Sequence, residues 1–121
     1  METTKKDFEL FKSECQIYID KFELNNYRMA YEWKKMNDAD AAITSNQKGM
    51  VATFAFNKEL SWGNLDYSMS KIDFIKSLAI HEVIHLLLGR YVWCGTSRFV
   101  TRDETREAEE ELVRKLERLI K

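Results

Sequence analysis

The stretch from Lys71 to Gly89 reads KIDFIKSLAIHEVIHLLLG, and it organises everything around it. Ile72, Ile75, Leu78, Ala79, Ile80, Val83, Ile84, Leu86 and Leu87 surround almost the whole circumference of a helix. A helix apolar on nearly all sides belongs in the middle of a domain rather than on its rim. Ser70, with Asp73 three residues on, has the spacing of an N-terminal cap, and Gly89 is placed to end the helix. Within this apolar segment sit His81, Glu82 and His85, in the spacing His-Glu-x-x-His.

Histidines four positions apart on a helix project from one face, one turn above the other, so both imidazoles can reach a single ion. Zinc takes neutral imidazole nitrogens and prefers four ligands in a tetrahedron. Glu82 is rotated about 100° from His81, which lets it flank the metal without occupying it. From there it can accept a proton from a water acidified by the metal and pass it to a leaving amine. The chain has only two histidines, and both fall in this motif. Two imidazoles and a carboxylate in an apolar helix would be costly without a partner. These residues therefore read as a zinc site with Glu82 as general base.

The extended form of the motif fails, since Leu88 and Tyr91 stand where a glycine and a third histidine would be needed. The third ligand is then a carboxylate or, less favourably, Cys94. The acidic tail TRDETREAEEELVRKLERLIK forms a last helix from about Arg102 or Asp103. Leu112, Val113, Leu116, Leu119 and Ile120 define its inward stripe, and that stripe passes through Glu109 and Thr105. Glu109 is the acid expected to face the core and to ligate zinc, with Glu110 next, while Glu107 and Glu111 are expected to point away.

The remaining elements follow from periodicity. Phe8, Phe11, Cys15, Tyr18, Ile19 and Phe22 recur at helical steps from about Lys5 to Phe22, with Thr4 and Asp7 resembling a capping box. Tyr27, Met29, Tyr31 and Trp33 alternate with polar or small residues in a half-buried strand. AAITS (Ala41 to Ser45) and MVATFAFN (Met50 to Asn57) are two more strands around a loop, in which Gly49 is available for positive φ. The expected architecture is α+β: an N-terminal helix, a three-stranded antiparallel meander, the central zinc helix and a C-terminal helix. Tyr91, Trp93 and Phe99 are expected in a loop before the last helix.

Composition bounds the function classes. The 121 residues fit one domain, with 45% hydrophobic and 12% aromatic residues to fill a core. Nineteen basic against twenty acidic residues give no electrostatic footprint for nucleic acid or an anionic membrane. No apolar run reaches membrane-span length and METTKKDFEL has no hydrophobic signal region, so the expected location is the cytoplasm. Cys15 and Cys94 are far apart in sequence and are expected to be free thiols.

HEVIH in a central helix, with a glutamate expected on the following helix, resembles the zincin metallopeptidases of the glutamate-ligand type, the gluzincins. A bare domain of this size with HEVIHLLLG and a terminal EAEEELVRKLERL is similar to small zincin-like proteins encoded in phages and prophages. The resemblance covers roughly Met50 to the C-terminus. It implies zinc-dependent hydrolysis of a protein or peptide substrate, host or phage, bound along a strand at the sheet edge, for which MVATFAFN is the candidate. The usual carboxylate partner of a ligating histidine has no counterpart, since Val113 lies four residues after Glu109. Tyr91, Tyr67 and Arg98 are the candidates for stabilising an oxyanion. The rival reading is a binding or assembly protein whose zinc is structural, with Cys94 closing the site.

Overall fold

The computed structural model describes residues 1–61, 69–96 and 101–120. Its elements are α1 (Lys5–Lys21), β1 (Arg28–Lys34), β2 (Ala41–Asn46), β3 (Val51–Asn57), α2 (Lys71–Thr96) and α3 (Arg102–Ile120). The class is α+β, as expected.

Helix α1 begins with a reciprocal capping box. Asp7 N–H donates to Thr4 Oγ1 (3.2 Å), and Thr4 N–H donates to Asp7 Oδ2 (3.0 Å). Two amides that the helix itself leaves unpaired are thereby satisfied. At the other end Glu23 adopts φ 58°, and the Leu24 and Glu23 amides bond back to Ile19 O and Asp20 O. A left-handed residue with those two bonds is the Schellman ending, here without the usual glycine. Phe11, Cys15 and Ile19 form the buried stripe, and Phe11 stacks on Phe56 with ring centroids 4.8 Å apart.

The sheet corrects the expected antiparallel meander. Its order is β1-β3-β2, with β1 parallel and β2 antiparallel to β3. Strand β3 is therefore central, and β2 is an edge. The physical reason lies in β3 itself. Ala52, Phe54 and Phe56 on one face and Ala55 and Asn57 on the other are all buried, the pattern of an interior strand, whose covered faces accompany pairing along both edges. Strand β1, with Arg28, Ala30, Glu32 and Lys34 exposed in alternation, suits the other edge.

Residues 35–40 must then carry the chain past the width of β3, about 10 Å at two strand spacings. Buried Asn57 fixes that passage. Its Nδ2 donates to Met36 O (2.8 Å) and Ala39 O (2.7 Å), while its Oδ1 accepts from the amides of Met36 and Glu59. In the β2–β3 hairpin the positive φ falls on Met50 (53°), not on Gly49, whose amide instead donates to Asn46 Oδ1.

Helix α2 starts where expected, with Asp73 N–H donating to Ser70 Oγ. It does not stop at Gly89 but runs on to Thr96, taking Tyr91 and Trp93 into the helix. Phe99 lies outside the described residues. Gly89 is a point of close approach rather than a cap. A Cβ there would stand 3.0 Å from Gln47 Nε2 and 3.4 Å from Ser45 Oγ. Ile75, Ala79, Val83 and Leu86 are buried against α1 and the sheet, yet Ile72, Ile84, Leu88 and Val92 are exposed. The apolar circumference of α2 is thus only partly covered.

Helix α3 is capped by Thr101, whose hydroxyl accepts from Glu104 N–H (3.1 Å), and lies antiparallel against the second half of α2. Ala108, Glu111, Leu112 and Lys115 line the hollow between the two helices, together with Leu86, Leu87 and Arg90. The expected phase is wrong by a partial turn. Leu112 does face inward, but Val113, Leu116 and Leu119 are exposed, as is Glu109. The residue that α3 buries is Ala108, so the face toward α2 runs through Ala108, Leu112 and Lys115. Glu111, expected to point away, lines the same hollow and with Glu107 engages Arg90. Among the described residues no helix is long and apolar enough to cross a membrane.

Candidate metal centre

His81 and His85 project from consecutive turns of α2, and both are exposed. Their Nε2 atoms stand 3.2 Å apart, with the rings at an interplanar angle of 78°. Two nitrogens bound tetrahedrally to one zinc at about 2.0–2.1 Å would be roughly 3.4 Å apart. The pair therefore fits a shared ion with little movement.

Glu82 lies on the buried side of this pair, only 6% exposed. Its Oε1 is 4.0 Å from His81 Nε2. Burial raises the carboxyl above its ordinary value, and the two neighbouring imidazoles only partly offset that. Cys15 of α1 feels the Glu82 charge, and burial first, then that charge, push its thiol up, so it stays protonated. Cys15 and Cys94 are free, as expected, and both are buried.

Beside the pair runs an open groove of about 530 Å³, lined by Ala41, Ala42, Ile43 and Ser45 of β2 and by Glu82, His85, Gly89 and Val92 of α2. The wall is edge strand β2, not β3 as the resemblance implied. Two signals for this were present in the sequence. The run Ala52-Thr53-Phe54-Ala55-Phe56 has no charged residue on either face, which marks an interior strand. A lone glycine inside a helical pattern marks a close packing approach, and Gly89 brings α2 against β2 and its hairpin.

The third expected ligand is not brought to this place. Arg90 follows His81 by nine positions and Cys94 follows His85 by nine. At about 100° per residue that is half a circumference. Arg90 and Cys94 are where α3 makes contact, through Glu107, Glu111 and the carbonyl of Glu104. Helix α3 therefore packs on the side of α2 opposite the histidines, and the expectation that Glu109 faces inward toward them is corrected: Glu109 is exposed on α3, and so is Glu110. Cys94 is turned to the same far side, 4.0 Å from Glu104 O. Among the described residues no group of three His, Cys, Asp or Glu side chains gathers around one point. Of the oxyanion candidates, Tyr91 is exposed on α2, while Tyr67 and Arg98 lie outside the described residues.

No family model, curated protein or solved structure matches the chain.

Proposed function

We propose that the chain is a zinc-dependent hydrolase of peptide bonds, with His81 and His85 as the protein's ligands on α2 and Glu82 as general base. The observation that supports this best is the placement of two imidazole nitrogens 3.2 Å apart at the rim of a groove, with a buried carboxylate alongside. Zinc, when bound, supplies Lewis acidity toward a carbonyl oxygen and toward water. Glu82 contributes the rest: a carboxyl raised by burial is a better proton acceptor than a solvated one and remains close to the pair. Among the described residues β2 is an edge strand of the sheet and runs along the same groove, where an extended peptide can add as a strand.

Among the described residues the groove walls carry no Lys or Arg and one carboxylate, Glu82, which favours a neutral polypeptide segment over a phosphodiester. A purely structural zinc, closed by four protein ligands, has less support, because Cys94 is turned to the opposite side of α2. The test is elemental analysis together with a mixed peptide library read by mass spectrometry. Wild type is expected to hold close to one zinc per chain and to cleave peptides, and Glu82→Gln to keep the metal and lose cleavage. Wild type purified without chelator that carries no zinc overturns the proposal. Cleavage surviving in Glu82→Gln removes that residue from the mechanism.

A further inference from the structure

Helices α2 and α3 form an antiparallel pair, since Leu86 and Leu87 lie near Leu112, Arg90 near Glu107 and Glu111, and Cys94 near Glu104. On one flank of this pair, Arg90 and Glu111 share a hollow with Asn26, Lys48 and Met50 from the sheet side. The handedness of the two helices puts Ile84, Leu88 and Tyr91 of α2 and Val113, Leu116 and Leu119 of α3 toward the other flank. These six side chains are each between 38 and 43% exposed. Their spacings, four and three residues on α2 and three and three on α3, give two parallel rows rather than scattered apolar points.

We propose that this flank pairs with the same flank of a second copy of the chain, forming a four-helix layer across a twofold axis parallel to the helices. Each α3 then lies over its partner's α2, with Val113 and Leu116 of one copy at the level of Ile84 of the other. The exposed area carries the choice of occupant. Six side chains exposed to this extent present on the order of 450 Å² of apolar surface, as a stable dimer requires when it buries about 800 Å² per partner with some 60% of it apolar. Glu109 continues the α3 row one turn before Val113, so Arg106 and Glu109 of one copy come to the level of Tyr91 and Leu88 of the other. With Glu117 they are of both signs, so two copies meet without a single-sign repulsion. Strand β2 and Glu82 lie toward the sheet flank, while Leu88, three residues after His85, sets the edge of the interface beside the histidine pair.

The experiment is sedimentation equilibrium over a concentration series in buffer with a chelator, so that a metal held by His81 and His85 cannot bridge chains. The expected mass is 28.8 kDa, twice the 14.4 kDa of one chain. Leu116→Glu and Ile84→Glu are expected to raise the dissociation constant at least a hundredfold while circular dichroism stays helical. Ile72→Glu, an exposed apolar site off this flank, is expected to leave it unchanged. Should either glutamate variant fail to fold, chains carrying Ile84→Cys mixed with chains carrying Val113→Cys provide the second reading. Oxidation is expected to give the mixed disulfide, since Cys15 and Cys94 are buried. A wild-type chain that stays monomeric at hundreds of micromolar, a dimer indifferent to both glutamate substitutions, or the absence of the mixed disulfide overturns the proposal.

Discussion

The Nε2 atoms of His81 and His85 stand 3.2 Å apart on consecutive turns of α2, on the side of that helix opposite the one on which α3 packs. That relationship separates two ligand sets. If the pair chelates zinc with no help from α3, Glu109→Ala leaves zinc affinity within about twofold of wild type, whereas His81→Ala or His85→Ala lowers it at least about a hundredfold. Competition against a chromophoric chelator measures all three. A loss in Glu109→Ala as large as in the histidine variants would show that α3 reaches the site by another arrangement.

Gly89 sits under a direct steric argument with two opposing parts. Replacing it with alanine gains about 1 kcal/mol of helix propensity. The added Cβ, however, would stand 3.0 Å from Gln47 Nε2, and Gln47 is held in place by Tyr27 OH donating to its Oε1 at 2.9 Å. Gly89→Ala alone is therefore expected to change stability by less than about 1 kcal/mol. In a Gln47→Ala background the clash is gone, and the same change is expected to stabilise by about 1 kcal/mol. A double-mutant cycle by urea unfolding checks this, and strict additivity would contradict it.

The parts of this fold that were legible in the sequence are the parts fixed locally. The start of α1 at the Thr4–Asp7 box, the cap at Ser70 and the three strand segments all depend on neighbours within a few residues. The order of the strands was not legible, because it depends on which strand has both faces covered, and that is settled by partners distant in sequence. The phase of α3 departs from the sequence pattern for a related reason. Leu112, Val113, Leu116 and Leu119 suggest one inward stripe, but the close contact with α2 is made at the small residue Ala108, which leaves Val113 and Leu116 exposed. At the candidate site the His-Glu-x-x-His spacing was legible to the residue. Its setting was not: the wall is β2, and the acid chosen by helical phase lies elsewhere.

Asp7 links the first cap to α2, and its titration has a definite sign. Burial alone would raise its carboxyl. The hydrogen bond and charge of Lys71, 2.8 Å away, with the Thr4 amide, outweigh burial and hold the carboxyl below its ordinary value. A group whose value is lowered on folding stabilises fully above its unfolded pKa and loses that contribution as pH falls through the folded one. The stability difference between wild type and Asp7→Asn is thus expected to be about 1 kcal/mol above pH ~5 and to shrink as the pH drops below ~4. Denaturant unfolding at several pH values reads the difference. A difference that grows on acidification would mean the ion pair with Lys71 does not hold.

Asn57 carries the topology of the sheet. It is 4% exposed at the end of central strand β3, and its amide is saturated by four bonds to the passage from β1 to β2 and to Glu59. Its nitrogen faces two carbonyls and its oxygen faces two amides. Asn57→Asp keeps shape and volume but sets a second acceptor, ionised at neutral pH, against Met36 O and Ala39 O. Asn57→Leu removes all four bonds and leaves those backbone groups to find water or remain unpaired. Each substitution is expected to cost roughly 2–4 kcal/mol, from the lost bonds and the buried groups they strand. The aspartate variant should recover part of the loss below pH ~4, where the protonated acid can donate to one carbonyl again. Thermal unfolding of both variants at pH 7 and pH 3.5, each against wild type at the same pH, measures this. Losses below 1 kcal/mol at neutral pH would show that the passage holds its path without Asn57, and that the double-sided burial of β3 alone sets the strand order.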